Sequence, residues 1–172
     1  MSIPASEQIE QLYHQAAERM RFLSLYHEPL SVELLGWQAL PAANSPDQIG
    51  DEIGVGVLVT PWCMNLLAAG MSEGRVGDNW LLELPGGNFE LTLAHDEQLG
   101  FYASGSLVSM MQQFDSMDAA RAFAWQALEL VMPKPPETVV QDKATPTLMS
   151  RRGLFRSLAG GITSEASTAT GS

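Results

Sequence analysis

Short extended stretches joined by turns fill the middle of the chain, and this pattern constrains the fold more than any other sequence feature. β-branched or alternating apolar residues mark five such stretches, at 31–40, 53–60, 80–84, 89–95 and 100–107. Between the third and the fourth, Pro85-Gly86-Gly87-Asn88 supplies the residue types of a tight hairpin turn. Because parallel strands need a long crossover, this meander predicts an antiparallel sheet of about five strands.

Helical patterns lie on both sides of these stretches. Apolar residues recur at helical spacing from Ile9 to Leu23, with Ser6 as the expected N-cap and Pro29 beyond the end. A second amphipathic pattern covers about 118–132, with Asp115 and Ser116 as the expected capping side chains, and stops at a proline cluster. The sequence therefore predicts an α+β domain over residues 1–132, with an N-terminal helix and a C-terminal helix packed on the sheet. Residues 133–172, rich in Pro, Ser and Thr, are expected to form a flexible tail.

Charge is distributed unevenly along the chain, whose formal net charge is -11. Residues 1–142 hold 19 acidic and five basic side chains, whereas residues 143–172 hold four basic side chains and Glu165. An acidic body repels phosphate groups, which argues against nucleic-acid binding. No apolar run approaches the ~20 residues that span a bilayer, so no direct membrane insertion is expected. The N-terminus lacks the pattern of a secretory signal, and we expect a cytoplasmic protein.

Patterns that would support catalysis or metal binding are weak. The three histidines lie far apart, and none accompanies a serine or cysteine in a recognisable nucleophile setting. A single cysteine, Cys63, permits no internal disulfide and no multi-thiolate metal site. Gly54 and Gly56 are too few for a dinucleotide fingerprint, and we expect them to admit a neighbouring backbone or a large aromatic ring. We predict no catalytic residue, no metal site and no cofactor.

The densest stretch runs from residue 57 to residue 67, where a buried strand leads into Thr-Pro and then into bulky side chains. We take seven residues as the candidate partner-binding site: Thr60, Pro61, Trp62, Cys63, Met64, Asn65 and Leu66. Trp62 would be an apolar anchor, and Asn65 would hydrogen-bond a peptide backbone. Two other interpretations stay open: the stretch is simply core, or Trp62–Asn65 lines the pocket of a small-molecule enzyme or carrier.

The tail contains Ser-Arg-Arg-Gly-Leu-Phe-Arg at residues 150–156. This segment resembles the twin-arginine export consensus, which has Ser, two arginines, any residue, two bulky apolar residues and then a basic residue. An export signal must be N-terminal and followed by an apolar run, so the segment does not predict export. Either it is a basic tail that balances the acidic body, or Arg151, Arg152 and Phe155 imitate a signal peptide and regulate the binding site.

The block Val-Leu-Val-Thr-Pro-Trp-Cys-Met-Asn-Leu at 57–66 resembles the signature of HybE-type chaperones for nickel–iron hydrogenase assembly. Gly36-Trp37 in the first strand, Leu-Pro-Gly-Gly at 84–87 and Gly-Phe-Tyr at 100–102 agree with that family in the same order. The resemblance covers about residues 8–132. Cys63 stands where the family usually has Phe.

The resemblance implies a non-catalytic cytoplasmic chaperone for maturation of an uptake [NiFe] hydrogenase. The implied partner is the iron–sulfur small-subunit precursor, held through its twin-arginine signal peptide until assembly is complete. The alternative is a scaffold that docks on other hydrogenase maturation proteins and protects immature iron–sulfur clusters from oxygen.

Overall fold

A computed structural model describes residues 2–41 and 52–133 of the chain. Its elements are α1 (Ser6–Met20), β1 (Glu33–Pro41), β2 (Glu52–Val59), β3 (Met64–Met71), β4 (Asn79–Leu84), β5 (Gly87–Asp96), β6 (Gly100–Val108), a 3-10 turn (Met111–Gln113) and α2 (Met117–Val131). The predicted α+β class, with a helix on each side of the strands in sequence, is confirmed. The predicted flexible tail, residues 133–172, lies outside the described residues apart from Pro133.

Six antiparallel strands form one sheet in the order β1-β2-β3-β6-β5-β4. The strand absent from the sequence-based prediction is β3, which begins immediately after Cys63. Its sequence, MNLLAAGM, does not alternate between apolar and polar residues, because seven of its eight residues are buried. Both faces of this central strand are covered over most of its length, so the period of two that marks a half-exposed strand is missing.

The two helices cover opposite faces of the sheet, and alternate strand residues enter two apolar clusters. Leu58 of β2 lies in the cluster under α1, whereas its neighbours Val57 and Val59 lie in the larger cluster under α2. The α1 cluster consists of Ile9, Ala17, Val32, Leu34, Leu58, Leu67 and Leu99. On the α2 side the core continues to the last strand through Trp80, Leu82 and Leu84. Since α1 contacts mainly β1, no helix within residues 2–41 and 52–133 covers the same face of the later strands.

Glycines in β2 admit an aromatic ring, as expected. A Cβ atom on Gly56 would lie 2.9 Å from the carbonyl oxygen of Leu35 and 3.1 Å from Cε3 of Trp37. The indole of Trp37 also donates from Nε1 to the Pro4 carbonyl at 3.1 Å, which holds the N-terminal segment on this side of the sheet. The glycines therefore leave room for the indole of Trp37.

Helix caps agree with the prediction for α2 and differ for α1. The Ser116 hydroxyl accepts a hydrogen bond from the Ala119 amide at 3.2 Å, which caps α2 as predicted. The N-cap of α1 is Ala5 rather than Ser6. Alanine has no capping oxygen, and the Gln8 side chain instead accepts from the Ala5 amide at 3.0 Å. Gln8 thus satisfies the amide of the N-cap residue itself, and the first-turn amides have no side-chain cap among the described residues.

Helix α2 connects the two ends of the sheet, so the sheet curls around it. At the first edge, Nε of Arg121 donates to the Glu33 carboxylate at 2.6 Å. At the far edge, the Gly86 amide in the β4–β5 turn donates to the Val131 carbonyl at 2.9 Å. A Cβ atom on Gly86 would overlap the Leu130 carbonyl oxygen and approach Cα of Val131 to 2.7 Å. Only glycine fits between the turn and the helix.

Replacing Gly86 with alanine is expected to lower the free energy of unfolding by about 1–3 kcal/mol, because helix backbone must move to admit the methyl group. Urea unfolding followed by circular dichroism measures the change. Gly74→Ala is the control, since its Cβ would meet only the flexible end of Leu93 at 3.1 Å. Equal stabilities of the two variants would show that the turn does not press against α2.

Candidate functional site

The turn between β2 and β3 consists of Thr60, Pro61, Trp62 and Cys63, and the Thr60 side chain organises it. Oγ1 of Thr60 accepts from the Cys63 amide at 2.9 Å and from the Trp62 amide at 3.3 Å. It also lies 2.9 Å from the Cys63 carbonyl, to which it can donate. The Thr60 amide donates to the same carbonyl at 2.9 Å. One fully buried hydroxyl therefore satisfies the polar groups that the proline turn leaves without strand partners.

The segment that follows α1 packs against this turn. The His27 amide donates to the Pro61 carbonyl at 2.8 Å, and the Tyr26 ring stacks on Trp62 with ring centroids 6.3 Å apart. Nε2 of His27 also bonds the Phe114 carbonyl at 2.7 Å. These contacts hold three separate parts of the chain together at one end of the sheet, so the turn has a defined position relative to α1 and α2.

The seven predicted contact residues separate by exposure. Thr60, Pro61, Met64 and Leu66 are buried, whereas Trp62, Cys63 and Asn65 are half-buried. Met64 and Leu66 point into the core under α2, and Asn65 lies on the opposite face, with Leu67 of the α1 cluster. A contact role for the whole block stays a prediction, and Trp62, Cys63 and Asn65 are the members that reach solvent.

Polar side chains surround Cys63 next to α1. Its sulfur lies 3.4 Å from the Thr60 hydroxyl, and the Asn65 side chain also hydrogen-bonds it. Burial raises the pKa of the Cys63 thiol, and the bonds from Thr60 and Asn65 offset this only in part. Burial likewise raises the pKa of Tyr13, which hydrogen-bonds Tyr102. The thiol is therefore largely protonated near neutral pH and a weak nucleophile.

Asn65 belongs to a polar surface that the strand register assembles. It pairs with Ser106 of β6, and the same face continues across β5 and β4. We call this surface the polar sheet face; its residues, all half-buried or exposed, are Asn65, Asn79, Leu81, Glu83, Asn88, Glu90, Thr92, Ser104 and Ser106. The sequence pattern alone does not reveal the polar sheet face, because its members come from four strands. The alternation in β5 of Phe89, Leu91 and Leu93 with Glu90 and Thr92 was the available signal.

Exposed apolar side chains form a second feature that sequence analysis missed. Phe22 is 91% exposed, and Leu23, Leu25 and Met110 also face solvent. Nε2 of Gln112 donates to the Leu25 carbonyl at 3.3 Å, which joins the segment after α1 to the segment before α2. We call these four residues the apolar patch. Large exposed apolar groups on a hydrogen-bonded loop are typical of protein contact sites.

Residues 2–41 and 52–133 contain no group of three or more His, Cys, Asp or Glu side chains that could hold a metal ion. No histidine is among the groups that shift the pKa of Cys63. Neither described helix is long and apolar enough to span a bilayer. The described surface therefore has three features that could contact a partner: the half-buried residues Trp62, Cys63 and Asn65, the polar sheet face and the apolar patch.

Residues 4–157 match the protein family described as "[NiFe]-hydrogenase assembly, chaperone, HybE". The chain belongs to the HybE family. The resemblance carried by the Thr-Pro-Trp block is thereby confirmed, and the chain is an assembly chaperone for nickel–iron hydrogenase.

Two similar proteins carry names from the same process. The chain is 41% identical over 158 residues to the hydrogenase expression/formation protein HupT of Azotobacter chroococcum mcd 1. It is 40% identical over 158 residues to the hydrogenase expression/formation protein HoxT of Azotobacter vinelandii. Each alignment covers 90% of this chain and 96% of the relative.

The fold is similar to the solution structure of HybE from Escherichia coli, with a TM-score of 0.56 and 18% sequence identity. The match covers 84% of this chain and 89% of that one. The α+β architecture is therefore that of a solved HybE structure.

Thr60→Val keeps the shape of the side chain but removes the acceptor for two turn amides. We expect the free energy of unfolding to fall by about 1–3 kcal/mol, because those amides lose a partner in a partly buried turn. Thr60→Ser retains the hydroxyl and should lie close to the wild type in urea unfolding. If the valine variant is as stable as the serine variant, the hydroxyl does not organise the turn.

Proposed function

We propose that this chain is a non-catalytic cytoplasmic chaperone that binds the small-subunit precursor of an uptake hydrogenase through its twin-arginine signal peptide. The chaperone would hold the precursor until cofactor insertion and subunit assembly are complete. Family membership supports the assembly role, and the charge of the described surface supports the choice of partner.

The observation that carries the proposal is the acidic surface. Residues 2–41 and 52–133 contain 15 acidic and only four basic side chains. On the polar sheet face, Glu83 and Glu90 form no ion pair within these ranges. A guanidinium group binds a carboxylate through two parallel hydrogen bonds, so unpaired carboxylates favour a peptide with adjacent arginines.

The half-buried residues Trp62 and Asn65 are the proposed contacts beside this acidic surface. Trp62 presents part of an aromatic ring that is supported from behind by Tyr26, which suits an apolar anchor. Asn65 lies at the border between the α1 cluster and the polar sheet face, where its amide can bond a peptide backbone. The two arginines of the signal peptide would then lie toward the carboxylates of Glu83 and Glu90.

The apolar patch supports the alternative, a scaffold that docks on other maturation proteins and shields immature iron–sulfur clusters from oxygen. Phe22 and Met110 are more exposed than Trp62. Such apolar side chains suit contact with another protein and do not require a partner with adjacent arginines. A chaperone with both surfaces can hold a signal peptide and a folded protein together. Binding measurements with the isolated peptide separate the two roles.

Titration of the full chain with the small-subunit signal peptide is expected to show binding that depends on both arginines. Replacing Arg-Arg with Gln-Gln in the peptide should weaken binding, because two charge-assisted bonds are lost. Raising the salt concentration should weaken it further by screening the acidic surface. Isothermal titration calorimetry at two salt concentrations measures both effects.

The variants Trp62→Ala and Asn65→Ala, measured in the same titration, test whether residues 60–66 contact the signal peptide. Lower affinity with unchanged folding, judged by circular dichroism, supports a contact role, whereas unfolding of Trp62→Ala favours the core interpretation. Absence of peptide binding, together with capture of the folded precursor or of a maturation protein, would contradict the signal-peptide role and favour the scaffold.

The tail is proposed to occupy the same acidic surface in the free protein through Arg151, Arg152 and Phe155. Pro133, the last described residue, lines a cleft of about 410 Å³ together with Pro85 of the β4–β5 turn. Pro133 therefore lies near the β4–β5 turn and also near Gly36, Gln38 and Leu40 of β1, which line the same cleft. Because the tail belongs to the same chain, its effective concentration at the acidic surface is high, which favours an intramolecular contact.

Arg151→Gln combined with Arg152→Gln should raise the affinity for the signal peptide severalfold, because the tail no longer competes. Lys134→Gln combined with Lys143→Gln removes the same charge outside the motif and is the matched control. Unchanged affinity in the arginine variant would show that the tail does not occupy the site.

A further inference from the structure

The outer edge of β4 carries backbone groups without strand partners among the described residues. The Leu93 amide donates to the Asp78 carbonyl at 2.9 Å, which sets the alternation of the β4–β5 ladder. The even-numbered residues of β4 therefore direct their amide and carbonyl groups toward β5, and Asn79, Leu81 and Glu83 direct theirs outward. In residues 2–41 and 52–133 no strand lies beyond β4 and no hydrogen bond reaches these outward groups.

The opposite edge of the sheet, β1, is protected. The Glu10 carboxylate of α1 accepts from the Leu34 amide at 2.8 Å, so a helix side chain covers this edge. Gly36 has a φ of +64° beside an irregularity in the β1–β2 register, and Pro41 ends the strand. Bulges and prolines are common protections of edge strands. Among the strands that the structure describes, only β4 therefore presents a regular edge that can accept another strand.

Side chains along β4 define what a strand on that edge would meet. Leu81 and Glu83 point to the polar sheet face, whereas Trp80, Leu82 and Leu84 are buried on the other side. Glu90 lies directly opposite Leu81 on β5. An added strand would place alternate side chains beside Asn79, Leu81 and Glu83, so it meets one amide, one apolar residue and one carboxylate on a single face, with Glu90 one strand further away.

We infer that β4 accepts an extended basic peptide as a seventh strand, which rests on the proposed function and locates the arginine-rich part of the signal peptide. Backbone hydrogen bonds to Leu81 and Glu83 would supply affinity, as in other cases of strand addition. The second arginine of the consensus would lie opposite Glu83, and the first arginine, one position earlier, would lie on the other face of the added strand. Carboxylates without ion-pair partners and an open edge coincide at this place in the described structure.

The spacing of the consensus agrees with this register. In an extended peptide, the second arginine, the first bulky apolar residue and the final basic residue lie two positions apart and share one face. In antiparallel pairing they meet Glu83, Leu81 and Asn79 in turn, which matches cation to carboxylate and apolar to apolar. The tail residues Arg152, Leu154 and Arg156 have the same spacing.

Amide hydrogen exchange on the full chain tests the edge directly. With the signal peptide at about 100 times its dissociation constant, exchange of the Leu81 and Glu83 amides should slow about 100-fold. Leu81→Pro removes an outward amide without breaking the β5 ladder, and it should weaken binding about tenfold. Glu83→Gln should weaken binding up to about fivefold, whereas Glu97→Gln, an exposed carboxylate outside the polar sheet face, should not.

The outcomes separate this site from the function on which it rests. If the peptide binds through its arginines but the β4 amides exchange as before and Leu81→Pro binds normally, the edge is wrong and the proposed function stands. If the wild-type chain shows no arginine-dependent binding, the proposed function fails. Protection of β4 that increases with protein concentration, without peptide, would assign the edge to a second copy and overturn the inference.

Discussion

Pairing between β3 and β6 is the contact on which the rest of the structure depends. The strands β1-β2-β3 form one meander and β4-β5-β6 form another, and only the β3–β6 ladder joins them into one sheet. This ladder pairs Ala68 with Ala103 at the centre, where both residues are fully buried. Small side chains there leave room for the curl of the sheet around α2, which contacts both of its ends.

The unequal cover of the two halves produces the candidate binding surface. Helix α1 packs on the first meander through Ile9 and Ala17, and no described helix covers the same face of the second meander. Side chains there must be compatible with water, which explains Ser104, Thr92 and Glu90 in otherwise apolar strands. A chaperone of hydrogenase assembly thereby has a polar, acidic face beside a structured aromatic turn.

Local sequence patterns predicted most of the elements. The turn residues Pro85 and Gly86 marked the β4–β5 hairpin, and Ser116 marked the start of α2. The pattern failed at β3, where burial on both faces removes the alternation, and at the start of α1, where the N-cap is Ala5 instead of Ser6. The Thr-Pro-Trp block indicated both the family and the turn, but not that Thr60 and Met64 are buried while Asn65 faces the polar surface.

The sequence by itself determined the helices, the hairpin turn, the acidic charge of the body and membership of the HybE family, because each depends on residues close together or on composition. Only the tertiary structure decided that β3 lies beside β6, that β4 is an edge strand of the described sheet and that Asn65 shares a face with Glu90 and Glu83. Those relations join residues far apart in the chain. They follow from how the two meanders close around α2, which local propensity does not specify.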